Sequence, residues 1–152
     1  MASLGDLFPA SVRREHIESA LSPGCVIRIE IKFPALTKPK FLVLVAVDDP
    51  EYMSFLINSE IHPFIASKPH MMQCQVPIDS VSHNFLHHDS FIACHEVFSI
   101  KRDEVIRALM ADPSSIKGII SPSIRDHIKC AVKIAKTIDK DKKTRIISAL
   151  EK

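Results

Sequence analysis

The chain has 152 residues, enough to bury a core in one domain without disulfide or metal staples. Its 46% hydrophobic and 25% charged residues exclude a disordered chain, and its three glycines exclude collagen-like or glycine-rich low-complexity sequence. Charge is uneven: residues 1–100 carry 7 Lys/Arg against 11 Asp/Glu, and residues 101–152 carry 13 against 7, an acidic body with a basic tail suited to a polyanion or an acidic partner.

The first periodic segment is Ser11 to Leu21, where Val12, His16, Ile17, Ala20 and Leu21 share a helical stripe; Ser22-Pro23-Gly24 stops it. Ile27, Ile29 and Ile31 then alternate with Arg28, Glu30 and Lys32, the pattern of a strand with one wet face. Pro34 to Pro39 reads as a loop, because two prolines break a ladder. Phe41 to Val47 (FLVLVAV) is a continuous apolar run, short and Val-rich, and predicts a strand buried on both faces. Asp48-Asp49-Pro50 predicts a turn, Met53 to Ile57 a strand, and Asn58 to Pro63 a polar loop. Met72, Cys74, Val76 and Ile78 alternate with polar residues and Pro77, an edge strand; Ser90 to Phe98 makes one more.

Helical spacing returns with Val105, Ile106, Leu109 and Met110, ended by Asp112-Pro113. Ser121 and Pro122 form an N-terminal cap, after which Ile124, Ile128, Val132, Ala135 and Ile138 mark one face of a helix of about five turns. Lys143 to Leu150 predicts a short terminal helix. The expected class is α+β in a single domain: an N-terminal helix (1–21), a small, strongly bent sheet or barrel (22–100) and a helical C-terminal extension (101–152).

No run of about twenty apolar residues is present, so no membrane span is expected. Met1 to Pro9 lacks the charged head and apolar run of a secretory leader, and Ala2-Ser3 is not a lipidation motif; a cytoplasmic location is expected. Cys25, Cys74, Cys94 and Cys130 form no CxxC pair and read as small core residues in a reduced compartment.

Four ordered stretches carry a resemblance. Ser22-Pro23-Gly24-Cys25-Val26-Ile27 looks like a Pro-Gly-Asp-Val opening strand. Lys38-Pro39-Lys40-Phe41-Leu42-Val43-Leu44 looks like a basic K-x-R-P approach to a buried strand, and Leu56-Ile57-Asn58-Ser59 like a strand ending in Thr or Ser. Leu86 to Val97 looks like L-x-x-D-S-x-V-x-C-D-Q-V, followed by Ser99-Ile100-Lys101-Arg102 as a turn into a helix. Over residues 22–110 the chain thus resembles the MazF/PemK-like toxins of type II toxin–antitoxin systems, with Lys40-Phe41 for the usual Arg-Pro and His95 for the usual Asp. The resemblance implies an SH3-like β-barrel. It also implies a metal-independent, cofactor-free endoribonuclease that cleaves single-stranded RNA, a homodimer, and a cognate antitoxin as partner.

Such cleavage uses the ribose 2′-hydroxyl as nucleophile and needs a base, a cation for the phosphorane and an acid for the 5′-oxygen. By the resemblance, Lys40 is the cation and Ser59 the assisting hydroxyl, with Lys38 and Asn58 beside them to bind substrate. His62 is an optional proton carrier, since imidazole titrates near neutrality. The histidines His83, His87, His88 and His95, with Asp89 and Glu96, invite a metal site, but adjacent residues of an extended segment diverge and no HExxH or CxxC frame is present. Cys94 cannot pair with its neighbour His95 for the same reason. Base selection is expected from loops 33–40 and 60–71. The alternative function is a non-catalytic barrel that binds a protein or nucleic acid through its helical tail; a metal-dependent hydrolase ranks below it.

Overall fold

A computed structural model describes residues 9–48 and 50–152. Residues 1–8, most of the segment Met1 to Pro9, and Asp49 of the Asp48-Asp49-Pro50 turn lie outside the described residues. The elements run α1 (Ala10–Ala20), β1 (Cys25–Lys32), β2 (Thr37–Ala46), β3 (Glu51–Asn58), α2 (Pro63–Ala66), α3 (Pro69–Met72), β4 (Gln75–Ile78), β5 (Ser90–Ala93), β6 (Phe98–Lys101) and α4 (Arg102–Ala111). A 3-10 turn at Pro113–Ser115, β7 (Ile116–Ile119), α5 (Pro122–Ile134) and α6 (Lys140–Leu150) complete the chain. The fold is mixed α and β: one antiparallel sheet curled into a half-barrel, in the order β4-β5-β3-β2-β1-β7, with β6 also on β3 and helices at both ends of the chain.

The continuous apolar run of β2 dictates a sheet with two greasy faces, and the alternating isoleucines of β1 add to one of them. Ile27, Ile29, Ile31, Leu42 and Leu44 point to one side, where Ile17, Leu21, Val105, Ile106 and Leu109 of the α1–α4 layer cover them. Val26, Val43, Val45, Phe55 and Ile57 point to the other, against Ile124, Ile128, Val132, Ile146 and Leu150 of α5 and α6. The run 42–46 is accordingly buried throughout. A register shift in the β2–β3 ladder between Leu44 and Ala46 bends the sheet into its curl.

Several expectations need correction. Pro39 is inside β2 rather than in a loop, opposite Glu30, and Thr37 already begins the strand. Met72 is helical and Cys74 lies before the strand, so β4 starts only at Gln75; Pro77 does fall on an edge strand. Ser90 to Phe98 is two strands, not one. β5 pairs Ile57 with Ile92 while β6 pairs Ser54 with Phe98, and the two registers differ by three residues, so 94–97 turns out of the ladder. The extension is not wholly helical, because β7 extends the sheet beyond β1. α5 ends at Ile134, and Ala135 and Ile138 are buried from the connection to α6. Of the α1 stripe, Ile17 and Leu21 are buried, Ala20 is half-buried, and Val12 and His16 are on the surface; ion pairs from Arg14 and Glu18 to Asp103 and Arg102 tie the helix to α4.

Gly24 makes the turn from α1 into β1 with φ 96°, a backbone that favours glycine. A Cβ there would also stand 2.7 Å from Nη2 of Arg125, whose guanidinium donates to the Pro23 and Leu150 carbonyls. Those two bonds clamp the α5–α6 layer to the start of the sheet. Among the described residues no helix is long and apolar enough to cross a membrane.

Candidate functional site

The pairing of Phe41 with Ile57 places the next residues outward, Lys40 and Asn58, side by side at the open end of the β2–β3 ladder. Lys40 Nζ donates to Asn58 Oδ1 at 2.5 Å, across eighteen residues of sequence. Two residues back along β2, Lys38 shares the Lys40 face, its ammonium 5.8 Å from the Phe33 ring centroid. Burial, and secondarily the charge of Lys38, pull the Lys40 ammonium below the ordinary lysine value.

These groups line a cleft of about 360 Å³ whose far wall is the segment following β3. Ser59 and His62 both reach it, so all five residues singled out from the sequence meet in one place. His62 is also the N-cap of α2: its Nδ1 accepts from the Phe64 amide at 3.1 Å. That bond requires a lone pair on Nδ1, so the neutral ring carries its proton on Nε2.

Three further polar residues line the cleft that the sequence does not mark as site residues: Glu60, Gln75 and His95. The Gln75 amide nitrogen donates to the Met71 carbonyl at 3.0 Å and lies 2.8 Å from His95 Nδ1. The carbonyl fixes which end of the amide is nitrogen, so Nδ1 of His95 is an acceptor and its proton sits on Nε2. Burial lowers the His95 pKa, offset in part by Glu96, whose carboxylate is 3.9 Å from Nε2. Thr137, from the α5–α6 connection, donates to the His95 carbonyl and ties the turn to the C-terminal layer. Only the pairing of β4 with β5, Gln75 against Ala93, brings Gln75 near His95, and no local pattern announces it.

The cleft is therefore rich in donors: two ammonium groups, a serine hydroxyl and two imidazole N–H groups. Glu60 is the carboxylate among the residues that line it. Such a set fits a phosphodiester, with its non-bridging oxygens accepting and one base opposite.

The remaining histidines are dispersed. His83 is buried; Nδ1 lies 3.0 Å from the Asp79 carbonyl and Nε2 accepts from the Ser121 amide at 3.2 Å, a structural bridge between the loop and α5. His87 and His88 border a second cleft beside the first. Among the described residues no three His, Cys, Asp or Glu side chains come together as metal ligands would. Cys94 is fully buried, and burial followed by Cys74 drives its thiol well above the usual value, the state of a core residue and not of a nucleophile. A larger hollow of about 610 Å³ lies between Pro23, Asp48 and α6, and its Arg125 is committed to backbone carbonyls.

No protein-family model matches the chain, and no curated protein matches it. The functional reading rests on the residues themselves.

Proposed function

We propose that the chain is a metal-independent endoribonuclease of the MazF/PemK type, with its half-barrel an SH3-like barrel and single-stranded RNA its substrate. The convergence of Lys40, Ser59, His62, Lys38 and Asn58 in one donor-rich cleft supports this reading. Glu60, as carboxylate, takes the proton of the ribose 2′-hydroxyl. The 2′-oxygen bonds to phosphorus, and the charge of the phosphorane falls on its non-bridging oxygens. Lys40, held by Asn58, neutralises that charge, and the Nε2–H groups of His62 and His95 donate to it. The bond from phosphorus to the 5′-oxygen breaks, and the leaving oxygen takes a proton from water held by the Ser59 hydroxyl; the proton on Glu60 neutralises the hydroxide left and restores the carboxylate. A 2′,3′-cyclic phosphate and a 5′-hydroxyl end result, and DNA, without the 2′-hydroxyl, is not cut.

The His62 cap bond changes its role from the one expected. A ring whose Nδ1 must accept from the Phe64 amide serves as a hydrogen-bond donor through Nε2, and a proton shuttle would break the cap. As in the toxins the chain resembles, a homodimer and an antitoxin partner belong to this proposal.

The test is a long single-stranded RNA incubated with the protein in EDTA. Cleavage is expected to persist in chelator and to fall by about 10²–10³ in Lys40→Ala, the size of loss typical for removing one transition-state charge partner. Absence of cleavage, cleavage unaffected by Lys40→Ala, or cleavage only with added metal overturns the proposal. RNA bound but not cut would favour the non-catalytic reading.

A further inference from the structure

The second cleft, of about 190 Å³, shares Lys40 and Ser59 with the first. Its floor is apolar, made by Phe41, Ile57 and Leu86, and its rim holds Arg28, His87 and His88. The Arg28 guanidinium lies 5.7 Å from the Phe41 ring centroid, and the pairing of Arg28 with Phe41 across β1 and β2 puts both on one face of the sheet. Among the described residues no carboxylate lines this cleft. Its wall is braced: Asp89 Oδ1 accepts from the Ser80 amide and hydroxyl, and the Phe85 ring packs 6.2 Å from that of Phe41.

We infer that this cleft is a nucleobase subsite that selects an unpaired guanine next to the phosphate held by Lys40. The inference rests on the RNA reading of the first cleft. The space suits one planar heterocycle and is well below the roughly 300–1,000 Å³ of a site for a larger ligand. The Arg28 guanidinium lies over the Phe41 ring, so an entering base slides it aside; the ring then takes the face of the base and the guanidinium its edge. The rim offers donors, and the paired acceptors O6 and N7 of guanine match the fork of an arginine, which adenine and the pyrimidines do not. Specificity would then come from Arg28 and the segment 86–88, not from loops 33–40 and 60–71. Phe41 and Lys40 are neighbours in β2 and point to opposite faces, so the clefts open on opposite sides of the sheet and share Lys40 and Ser59 at the strand end; a chain crossing that end places its base in one and the adjoining phosphate at the edge of the other.

The experiment measures binding without cleavage. Fluorescence anisotropy is read on short 2′-O-methyl oligonucleotides of identical sequence carrying G, A, U or C at one position; the methyl group removes the nucleophile. The wild-type protein is expected to prefer the G oligonucleotide by roughly tenfold or more, the worth of one bidentate base contact. Arg28→Ala is expected to abolish that preference while keeping the weaker, base-independent affinity, and Arg28→Lys to retain only part of it. Equal affinity for all four bases in the wild type, or a preference unchanged in Arg28→Ala, overturns the subsite and leaves the ribonuclease proposal standing. A G preference without cleavage of ordinary RNA upholds the subsite and overturns the nuclease. No binding to any oligonucleotide overturns both.

Discussion

At the scale of single residues, Lys40 and His95 carry the testable chemistry. A lysine offers a compact charge where arginine offers a planar fork, and Asn58 supplies by a hydrogen bond the positioning that a fork would carry itself. Lys40→Arg should therefore keep measurable cleavage in the assay that Lys40→Ala fails. Burial holds the His95 pKa below its ordinary 6.5. Above pH 6.5 the imidazole is neutral in folded and unfolded chains alike and contributes no slope. As pH falls below 6.5 the unfolded chain takes the proton first, so stability declines until the pH is below the folded value. Urea midpoints measured from pH 7.5 down to 5 should fall, and His95→Asn should flatten part of that decline. The resemblance marks Lys40 and Asn58 but not the bond between them, and it marks neither His95 nor Gln75 for this cleft, because strand pairing alone brings these partners together.

At the scale of elements, caps were legible and strand limits less so. Ser121 accepts from the Ile124 amide at 3.3 Å with Pro122 in the first turn, as its sequence announces. Ser121→Ala should cost about 1 kcal/mol in chemical denaturation, the ordinary worth of an N-cap. The Ser121 amide also binds His83, and the backbone keeps that bond in the variant, so a much larger loss would show that α5 itself had shifted. The segment 90–98 shows why limits fail. Each residue has acceptable strand character, but β3 offers its length to two partners in registers three residues apart, and the mismatch expels 94–97. That expulsion carries His95 into the cleft. β7 escaped notice because a four-residue strand of Ile, Lys, Gly and Ile has too little alternation to stand out.

At the scale of the whole molecule, the basic tail is part of the body. α5 and α6 spend their apolar stripes on the sheet, burying Ile124, Ile128, Val132, Ile146 and Leu150 among Val26, Val43 and Phe55. The outward lysines are left for solvent and for ion pairs such as Lys129 with Asp126. Ile128 is fully buried in this layer, and Ile128→Ala should cost about 2–5 kcal/mol, read as a shift of the unfolding midpoint. A near-neutral result would mean that α5 is detached from the sheet in solution.

Sequence alone determined which strand faces are apolar, where α5 begins and which residues are cationic, because periodicity, caps and charge are properties of neighbours along the chain; it missed α2 and α3 and started α6 three residues late. It also marked the five residues of the first cleft, through a resemblance and not through spacing. The tertiary structure alone decided that those five share a wall with Glu60, Gln75 and His95, and that Arg28 and Phe41 open a second cleft beside them. Pairing decides such meetings: the β2–β3 hairpin sets Lys40 against Asn58, but His95 arrives through β5 and β6, whose registers on β3 no local signal fixes.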